Sequence, residues 1–321
     1  VVESSHWSFG GKGAERLARK VVEITNRENN SNNTKNNFKY LYDVNMSIKE
    51  KIEIIAKEIL NKDVDLMVIN APLVARNAEP GHFIILRVDD IGERIPLTIV
   101  EIDGDNVSII YQKLGYSTNL LGTLNVGDSL SDFVGPLGKA AHIRDVKSVL
   151  GIAGGVGAAP LLPQLREYAK RGVKVTLVIG ARSEEHLILL DKYKEFCDEI
   201  LIATDDGSVG TKGFVTDILT ELYKDRKFDH TIAIGPLVMM KFVVLLNKKN
   251  NHKTDVSLNP VMIDGTGMCG NCRVSIGGKT FFACVDGPDF PGEEVDFDEL
   301  IVRQSYYTKE EHICNLRLVK K

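Results

Sequence analysis

The sequence predicts a protein of the α/β plus β class: an antiparallel β-barrel, then a parallel sheet covered by helices, then a small cysteine-bearing domain. Three changes of pattern support this. From about Val64, short alternating strands are punctuated by Gly and Pro, which is typical of an antiparallel barrel. From Lys147, apolar strands alternate with helical segments, one of them at residues 184–196, which predicts a parallel sheet covered on both faces. After Asn250, three cysteines fall within sixteen residues.

The composition argues against several classes of partner. The chain has 321 residues, 43% hydrophobic content and a formal net charge of -4, as expected of a globular protein with two or three domains. This charge gives no reason to expect nucleic acid or an anionic membrane as a partner. No apolar run reaches the roughly 18 residues needed to span a bilayer. Five cysteines, an odd number, predict a metal site in a reducing compartment, and hence a cytoplasmic protein.

Residues 1–62 form the first predicted segment. Helical spacing at residues 10–25 is followed by a polar, Asn-rich tract at residues 26–37 that lacks the apolar side chains needed for a core. A second amphipathic helix is predicted at residues 48–60, with Ile48, Ile52, Ile55 and Ile59 on one stripe.

Residues 63–146 form the predicted barrel. The stretch RIPLTI (94–99) lies in one of its strands. An arginine beside a proline-fixed turn and a hydroxyl can hold a pyrophosphate and present backbone amides to a flavin ring. Arg94, Pro96 and Thr98 are therefore candidate flavin residues, and an ordinary strand is the alternative interpretation.

Residues 147–250 form a predicted nucleotide-binding domain. GIAGGVGAAP (151–160) joins an apolar strand to a helix. Its glycines let the backbone approach a ligand, and the helix N-terminus offers free N–H groups to a pyrophosphate. Pro160 suits a first helical turn. A tight turn without a ligand is the alternative.

Three further glycine-bearing segments follow predicted strands: GAR (180–182), TDDGSVG (204–210) and GP (235–236). Ligands of open α/β sheets bind at this edge. Arg182 stands where an acid would hold a ribose hydroxyl, so NADH and NADPH both remain open, and a solvated loop is the alternative for the paired acids. The candidate nucleotide-binding residues are Gly154, Gly155, Val156, Gly157, Ala158, Pro160, Gly180, Arg182, Asp205, Asp206, Gly235 and Pro236.

Residues 251–321 form the predicted cysteine domain. Cys269 and Cys272 have the spacing of a metal clip, and Cys284 supplies a third thiol. Structural zinc with Asp264 or a histidine as fourth ligand is one interpretation. The Gly-rich segment favours an iron–sulfur cluster instead, because such a backbone folds around the cluster and donates N–H groups to its sulfurs.

The fourth ligand stays open on this evidence. Asp264 lies five residues before Cys269, within reach of a Gly-rich loop. Cys314, near a polar tail, is less suitable. Cys197 lies on a predicted helical segment and is interpreted as a buried small residue.

Six stretches, taken in order, resemble a known family: the small subunit of NADH-dependent ferredoxin–NADP oxidoreductase, also known as sulfide dehydrogenase. The electron-transfer subunit of dihydroorotate dehydrogenase is a close relative. The resemblance covers about residues 64–312. It is carried by GERIPLTI, GPLGKAAHI, GIAGGVGAAP, ATDDGSVGTKGFVTDIL, AIGPLVMMKF and DGTGMCGNCRVSIGGKTFFACVDGPDF.

The resemblance implies a ferredoxin-reductase-like fold that binds FAD, NAD(H) or NADP(H), and a [2Fe–2S] cluster. Ile95 separates Arg94 from Pro96, where many relatives have Arg directly before Pro. The implied flavin residues are Pro96, Leu97, Thr98, Tyr111, Gln112, Lys113, Ser117 and Thr118. The implied cluster ligands are Asp264, Cys269, Cys272 and Cys284; the dihydroorotate branch uses four cysteines, so the missing thiol favours the oxidoreductase branch.

The function implied is electron transfer between NAD(P)H, FAD and the cluster, without a catalytic acid or base. The implied partner is a larger subunit with another flavin and [4Fe–4S] clusters, which reaches ferredoxin indirectly and carries out bifurcation. Two alternatives remain: the electron-transfer subunit of dihydroorotate dehydrogenase, and a zinc-stabilised nucleotide-binding module without redox activity.

Residues 1–60 depart from this family and resemble an internal piece of formate–tetrahydrofolate ligase. The ATP-binding pattern GxxxxGK[ST] does not occur in the sequence, so no ligase activity is predicted. The join near residues 58–63 is expected to shorten the first barrel strand.

Overall fold

The computed structural model describes residues 52–90, 92–308, 310 and 313. The predicted helix at residues 10–25, the Asn-rich tract and Cys314 lie outside these residues. Residues 51–321 form one compact unit. No helix of the described part is both long and apolar enough to cross a membrane.

The barrel domain is a six-stranded sheet in the order β1-β2-β5-β4-β3-β6, with every neighbouring pair antiparallel. Two short helices, α1 (Pro72–Ala75) and α2 (Tyr116–Thr123), lie between its strands. Alternate side chains of the strands fill the interior. The strands are β1 (Ile54–Asn61), β2 (Val64–Asn70), β3 (Phe83–Arg87), β4 (Ile95–Asp103), β5 (Asn106–Gln112) and β6 (Asp132–Leu137).

The helix predicted at residues 48–60 is wrong over the residues that the structure describes. Residues 54–61 are strand β1, which pairs with β2 through Lys57 and Met67. Ile54 is buried in the barrel while Ile55 and Ile59 are exposed. The hydrogen-bonding edge of β2 outweighs the helical spacing of the isoleucines, since tertiary pairing overrides local pattern.

Strand β1 also changes the expected boundary. It has eight residues and continues into the join near residues 58–63, and the expected shortening relative to the family stays a prediction. The barrel sheet therefore begins before residue 63. The other predicted domain limits stay predictions.

The nucleotide domain is a seven-stranded sheet in the order β10-β9-β8-β7-β11-β12-β15, parallel except for β15. This confirms the predicted parallel-rich sheet. Its strands are β7 (Ser148–Gly154), β8 (Lys174–Ala181), β9 (Glu199–Thr204), β10 (Thr211–Lys212), β11 (His230–Ile234), β12 (Thr254–Ser257) and β15 (Asp289–Pro291).

The helices of this domain are α3 (Ala158–Lys170), α4 (Leu190–Lys194), α5 (Val215–Asp225) and α6 (Leu237–Lys249). The helix predicted over residues 184–196 is much shorter than expected. A 3₁₀ turn occupies Glu184–His186, and the left-handed backbone of Leu189 (φ 61°) precedes α4. Cys197 follows α4, half-buried, and burial raises the pKa of its thiol to about 12.

The cysteine domain contains the hairpin of β13 (Arg273–Ile276) and β14 (Lys279–Phe282), then α7 (Ala283–Asp286) and α8 (Phe297–Gln304). Cys272, Val274 and Cys284 share one apolar cluster with side chains of the nucleotide domain. Strand β15 extends the nucleotide sheet by pairing with β12. The cysteine loop is therefore fixed to the nucleotide domain by packing and by backbone hydrogen bonds.

Candidate functional site

A cleft of about 740 Å³ lies between the barrel and the nucleotide domain. The barrel contributes Pro96, Leu97, Thr98 and Gln112 to its wall. Pro96 and Thr98 lie on β4, which pairs with β3 through Thr98 and Phe83. Part of the predicted flavin set is therefore gathered on one wall of the cleft.

The carboxyl edge of the parallel sheet forms the opposite wall. Strand β7 runs into a 3₁₀ turn at Gly155–Gly157, and α3 begins at the next residue. Since parallel strands end at one edge, the predicted segments come together there. The predicted residues that line the cleft from this side are Gly154, Gly155, Val156, Gly157, Pro160, Gly180, Arg182, Asp205, Gly235 and Pro236.

Gly157 shows why this turn requires glycine. A Cβ atom there would lie 2.2 Å from the carbonyl oxygen of Ile234, closer than any side chain tolerates. The turn therefore packs directly on β11, and its free N–H groups lie at the N-terminus of a 13-residue helix. This arrangement suits a pyrophosphate.

Two predicted nucleotide residues use their polar groups in hydrogen bonds within the protein. Asp206 accepts hydrogen bonds from the backbone and the hydroxyl of Ser208, which lower its pKa. Ala158 is buried, and its carbonyl accepts a hydrogen bond from Tyr193. Asp205 is the acid of the pair that lines the cleft.

The remaining predicted flavin residues lie beside the cleft wall. Tyr111 is buried in the barrel core with its hydroxyl 3.4 Å from Asp65, and burial raises its pKa. Lys113 forms a 2.7 Å ion pair with the same carboxylate. Arg94 lies 3.8 Å from Asp132. The side chains of Tyr111 and Lys113 are thus held by Asp65, which leaves chiefly their backbone for a ligand.

Ser117 and Thr118 shape the start of α2. The Ser117 hydroxyl donates a 2.9 Å hydrogen bond to Glu93. The Thr118 hydroxyl accepts from the N–H groups of Leu114 and Gly115, both at 3.0 Å. These bonds order the turn that follows Gln112.

The cysteine loop contains two pairs of potential ligands. The sulfurs of Cys272 and Cys284 are 3.2 Å apart, and both residues are buried. Asp264 accepts hydrogen bonds from the backbone of Thr266 at 2.8 Å and of Cys269 at 2.7 Å. The left-handed Gly267 and Gly270, with φ of +80° and +65°, curve the loop between the pairs.

The pKa values of two groups in the cysteine loop are shifted in opposite directions. Burial, followed by the hydrogen bond to Cys272, raises the pKa of Cys284 to about 12. Burial of Asp264 would raise its pKa, but hydrogen bonds from Thr266 and Cys269 lower it. In the described part of the chain, no three His, Cys, Asp or Glu side chains converge on one metal position. Two pairs suit a cluster with two irons, because each iron takes two protein ligands.

The cleft also contains residues that the sequence did not indicate. Asn61 and Asp63 come from the β1–β2 turn, and Gln304 comes from the end of α8. His186 joins them from the 3₁₀ turn after β8. No motif identifies these positions. The sequence predicted a helix rather than a strand up to residue 60, and so gave no reason to expect a turn between two strands there.

Comparisons with known proteins support this geometry. Residues 152–244 match the oxidoreductase NAD-binding domain. Residues 259–296 match the iron–sulfur cluster binding domain of dihydroorotate dehydrogenase B. Residues 1–71 match formate–tetrahydrofolate ligase, which agrees with the resemblance of the first segment. This last match extends into β1 and β2.

The relatives cover most of the chain. A "dihydroorotate dehydrogenase B (NAD(+)), electron transfer subunit homolog" of Thermotoga maritima is 43% identical over 270 residues, spanning 84% of this chain and 95% of the relative. The chain belongs to this electron-transfer subunit family. A solved structure of the NADH-dependent reduced ferredoxin–NADP oxidoreductase matches with a TM-score of 0.80 and 42% identity, over 84% of this chain and 99% of that one. An Amycolatopsis cytochrome P450 reductase shares the fold alone, with 22% identity, a TM-score of 0.55 and coverage of 62% and 65%.

Membership confirms several predictions. The chain is an electron-transfer subunit of an NAD(P)H-dependent oxidoreductase with a ferredoxin-reductase-like fold. Its redox groups are FAD, NAD(H) and an iron–sulfur cluster. It works with a larger partner subunit. The cysteine domain is thus a redox domain, which contradicts the zinc alternative.

Proposed function

We propose that this chain is the NADH-oxidising subunit of a bifurcating ferredoxin–NADP oxidoreductase. The observation that carries the proposal is the cleft, where the strand of Pro96–Thr98 faces the turn of Gly154–Gly157. Both walls and the cysteine loop belong to one compact unit. One chain thus offers a flavin site, a nucleotide site and a cluster site.

The chain's residues act here by binding and orientation. The N–H groups of the Gly155–Gly157 turn and α3 hold the pyrophosphate of NADH, and Asp205 accepts a hydrogen bond from a ribose hydroxyl. Pro96, Leu97 and Thr98 hold the flavin ring against the same cleft. FAD would supply, when bound, the capacity to accept a hydride from the nicotinamide and to pass electrons on singly. No side-chain acid or base is required for that transfer.

The cluster in this proposal is [2Fe–2S], which would be held by two pairs of ligands: Cys272 with Cys284, and Asp264 with Cys269. The close sulfurs form the buried pair, and the Asp264–Cys269 hydrogen bond marks the second pair. Cys269 is exposed. The second pair therefore lies at the surface. The buried pair, Cys272 and Cys284, lies in the apolar cluster shared with the nucleotide domain.

The electron acceptor is a larger subunit with its own flavin and [4Fe–4S] clusters, through which ferredoxin and NADP are reached. Exposed apolar side chains accompany the surface pair: Ile263 is 50% exposed and Met268 is 76% exposed. Apolar patches of this kind are typical of protein interfaces. The partner is proposed to cover them.

A second candidate is the electron-transfer subunit of a dihydroorotate dehydrogenase, which the Thermotoga relative's name favours. The sequence has aspartate at the position where that branch has its first cysteine. Co-purification with a subunit that oxidises dihydroorotate would support this candidate over the first.

An absorption spectrum of the anaerobically purified protein, recorded before and after NADH, tests the proposal together with iron, sulfide and zinc analysis. Flavin bands and a cluster shoulder that both bleach with NADH are expected, with two irons per chain. Flavin and cluster bands that stay unchanged with NADH would contradict the proposed electron path. A colourless protein that contains zinc would contradict the redox function altogether.

A further inference from the structure

Strand β4 contains a β-bulge between the flavin wall and the end of the strand. Ile99 pairs with Ile109, but Glu101 pairs with Ser108, so one extra residue, Val100, lies between the two pairs. A bulge of this kind re-aims the side chains that follow it and is often found near functional sites.

The bulge decides which face Glu101 occupies. Ile99 and Ile109 both belong to the barrel core. In a regular strand Glu101 would share that face, since side chains alternate with a period of two. Instead Glu101 lies opposite Ser108, while Val100 packs among side chains of the nucleotide domain. The extra residue turns a carboxylate out of the barrel core and towards that domain.

Two cations of the nucleotide domain meet this carboxylate. Glu101 Oε1 accepts a 2.6 Å hydrogen bond from Arg166 of α3. Glu101 Oε2 forms an ion pair with Lys192 of α4. The Arg166 guanidinium also lies over the ring of Phe196, 5.8 Å from its centroid, within the range of a cation–π contact. We call Glu101, Arg166 and Lys192 the Glu101 clamp.

The Glu101 clamp is better shielded than the Lys62–Glu185 pair, which also joins the two domains. The side chains of Glu101 and Arg166 are each 26% exposed. Lys62 and Glu185, 3.5 Å apart, are 63% and 66% exposed, and such surface pairs contribute little. Burial alone would raise the pKa of Glu101, but the hydrogen bonds from Lys192 and Arg166 lower it. The carboxylate is therefore charged at neutral pH.

Apolar contacts hold the two domains together independently of the clamp. Val64, Val100 and Ile110 of the barrel share one apolar cluster with Leu161 and Leu165 of α3. Such contacts are non-directional, whereas an arginine–carboxylate pair fixes direction and register. Loss of the clamp therefore leaves the domains associated, with a less defined relative orientation.

The clamp joins the two elements that carry the functional walls. Glu101 lies three residues, or roughly 10 Å, beyond Thr98 on β4. Arg166 lies eight residues, or about 12 Å, beyond the start of α3, which follows the Gly155–Gly157 turn. We propose that Glu101 is a positioning residue for hydride transfer, which aligns the nucleotide turn with the flavin wall through Arg166 and Lys192. This inference rests on the proposed function.

The test compares holoprotein of the wild type with Glu101→Gln, which keeps the shape but removes the charge. The rate of flavin reduction by excess NADH in single turnover should fall about 10- to 100-fold, because small misplacements of reacting groups are costly. The long-wavelength absorption of nicotinamide stacked on oxidised flavin should weaken. Hydrogen exchange should become faster at amides near Arg166. The Kd for NADH should change much less than the rate.

Glu199→Gln is the matched control. Glu199 forms an ion pair with Arg226 within the nucleotide domain, with the carboxylate side chain 30% exposed. This variant should reduce its flavin at the wild-type rate. In a double variant, Glu101→Gln with Arg166→Gln, the rate of flavin reduction should be close to that of either single variant. The two effects should not multiply, because both substitutions break the same ion pair.

Three outcomes would overturn the inference: a wild-type rate and absorption in Glu101→Gln, an equal loss in Glu199→Gln, or a loss that follows only the fraction of unfolded protein. Each presupposes that the wild type is reduced by NADH. A wild type that NADH does not reduce would contradict the proposed function instead, so the two failures are distinguishable.

Discussion

At the scale of single residues, Asp264 has two possible roles that differ chemically. Its carboxylate accepts two backbone N–H groups and thereby closes the cysteine loop. The same carboxylate is the proposed fourth ligand of the cluster. A hard oxygen ligand changes the potential of a cluster relative to sulfur, so the two roles are separable.

Asp264→Cys is predicted to retain the cluster with an altered EPR spectrum and a shifted midpoint potential, because sulfur replaces oxygen on one iron. Redox titration followed by EPR provides the measurement. Asp286→Asn is the control, since Asp286 accepts a 2.8 Å hydrogen bond from the Phe282 backbone in the same domain and is not a proposed ligand. An unchanged spectrum in Asp264→Cys would leave Asp264 with a structural role only.

The two acids after β9 also differ in role. Asp205 lines the cleft, whereas Asp206 is engaged by Ser208. A carboxylate in the cleft accepts a ribose hydroxyl and repels a 2′-phosphate, whereas Arg182 of the same cleft attracts a phosphate. Asp205 is therefore expected to shift the selectivity towards NADH.

Asp205→Ser is predicted to raise the ratio of kcat/KM for NADPH to that for NADH by about tenfold, which corresponds to about 1.4 kcal/mol. Steady-state kinetics with both nucleotides and an artificial acceptor measure this ratio. Asp206→Ser should leave it nearly unchanged. A ratio that moves only in Asp206→Ser would assign the selectivity to the other acid.

At the scale of secondary-structure elements, the turn between β7 and α3 depends on close packing more than on flexibility. Gly157 approaches the Ile234 carbonyl, as described above. Gly155 is left-handed with φ +55°, and a Cβ there would meet nothing within 4 Å. Glycine is therefore required at Gly157 for close packing and at Gly155 for its left-handed backbone conformation.

Gly157→Ala is predicted to lower the free energy of unfolding by about 3 kcal/mol, since the new methyl group forces the turn away from β11. Gly155→Ala should cost only about 1 kcal/mol, the cost of a left-handed alanine. Urea denaturation of both holoproteins compares them. Equal losses would show that the turn can shift away from β11 at little cost.

The pairing of β12 with β15 contains a titratable group. Asp289 Oδ2 accepts a 3.0 Å hydrogen bond from Gln164, and Oδ1 has no partner within the described chain. Burial raises the pKa of Asp289 to about 6. A cavity of about 200 Å³ beside it also contains Asp255, Arg144 and His230.

The sign of this effect on stability follows from linkage. The folded state binds the Asp289 proton more tightly than the unfolded state, so its contribution to stability falls as pH rises from about 4 to about 6. Asp289→Asn should therefore gain stability over the wild type as pH rises through this range.

Denaturation between pH 4 and 8 measures this difference. Asp229→Asn is the control of opposite sign, because hydrogen bonds from Ser148 and Lys147 lower the pKa of Asp229. That variant should be less stable than the wild type by a nearly constant amount across this range, because the ordinary pKa of aspartate, 3.8, lies below it. A pH-independent difference in Asp289→Asn would show that Asp289 does not titrate in this range.

At the scale of the whole molecule, electrons are proposed to enter at the cleft and to leave at the cysteine loop. The apolar side chains beside that loop are the proposed partner contact. A charge added beside the loop is costly to bury in an interface. Because this position lies outside the cleft, the charge should not affect the nucleotide and flavin sites.

Met268→Glu is predicted to weaken binding of the larger subunit at least about tenfold while flavin reduction by NADH stays unchanged. Val126→Glu is the control, because Val126 is 59% exposed on the barrel. Affinity measured by titration calorimetry and single-turnover reduction provide the two readouts. Equal affinity of both variants would place the partner on another surface.

Local pattern was sufficient for much of the fold. The strands of residues 64–112 and the alternating segments of the nucleotide domain appeared where their apolar spacing predicted them. The segments after β7, β8, β9 and β11 met at one edge, because parallel strands share their direction. The resemblance supplied the cofactors, which no spacing argument would have given alone.

Local sequence pattern mispredicted the secondary structure where pairing with another strand or a kink in the backbone decides it. Residues 54–61 have a helical spacing of isoleucines but form a strand, because β2 offers an edge to pair with. The helix expected at residues 184–196 is interrupted before Leu190. Neither competing interaction is local in sequence.

The sequence by itself determined the class of the protein, since strand and helix patterns depend on residue type and spacing. Its motifs, with the resemblance they carry, predicted the candidate residues for nucleotide, flavin and iron. Only the tertiary structure decided which of them face one cleft, how the ligands pair in the cysteine loop, and that a bulge turns Glu101 towards Arg166 and Lys192. These depend on contacts between residues far apart in the chain, and a one-residue change in register reverses the face on which a side chain lies.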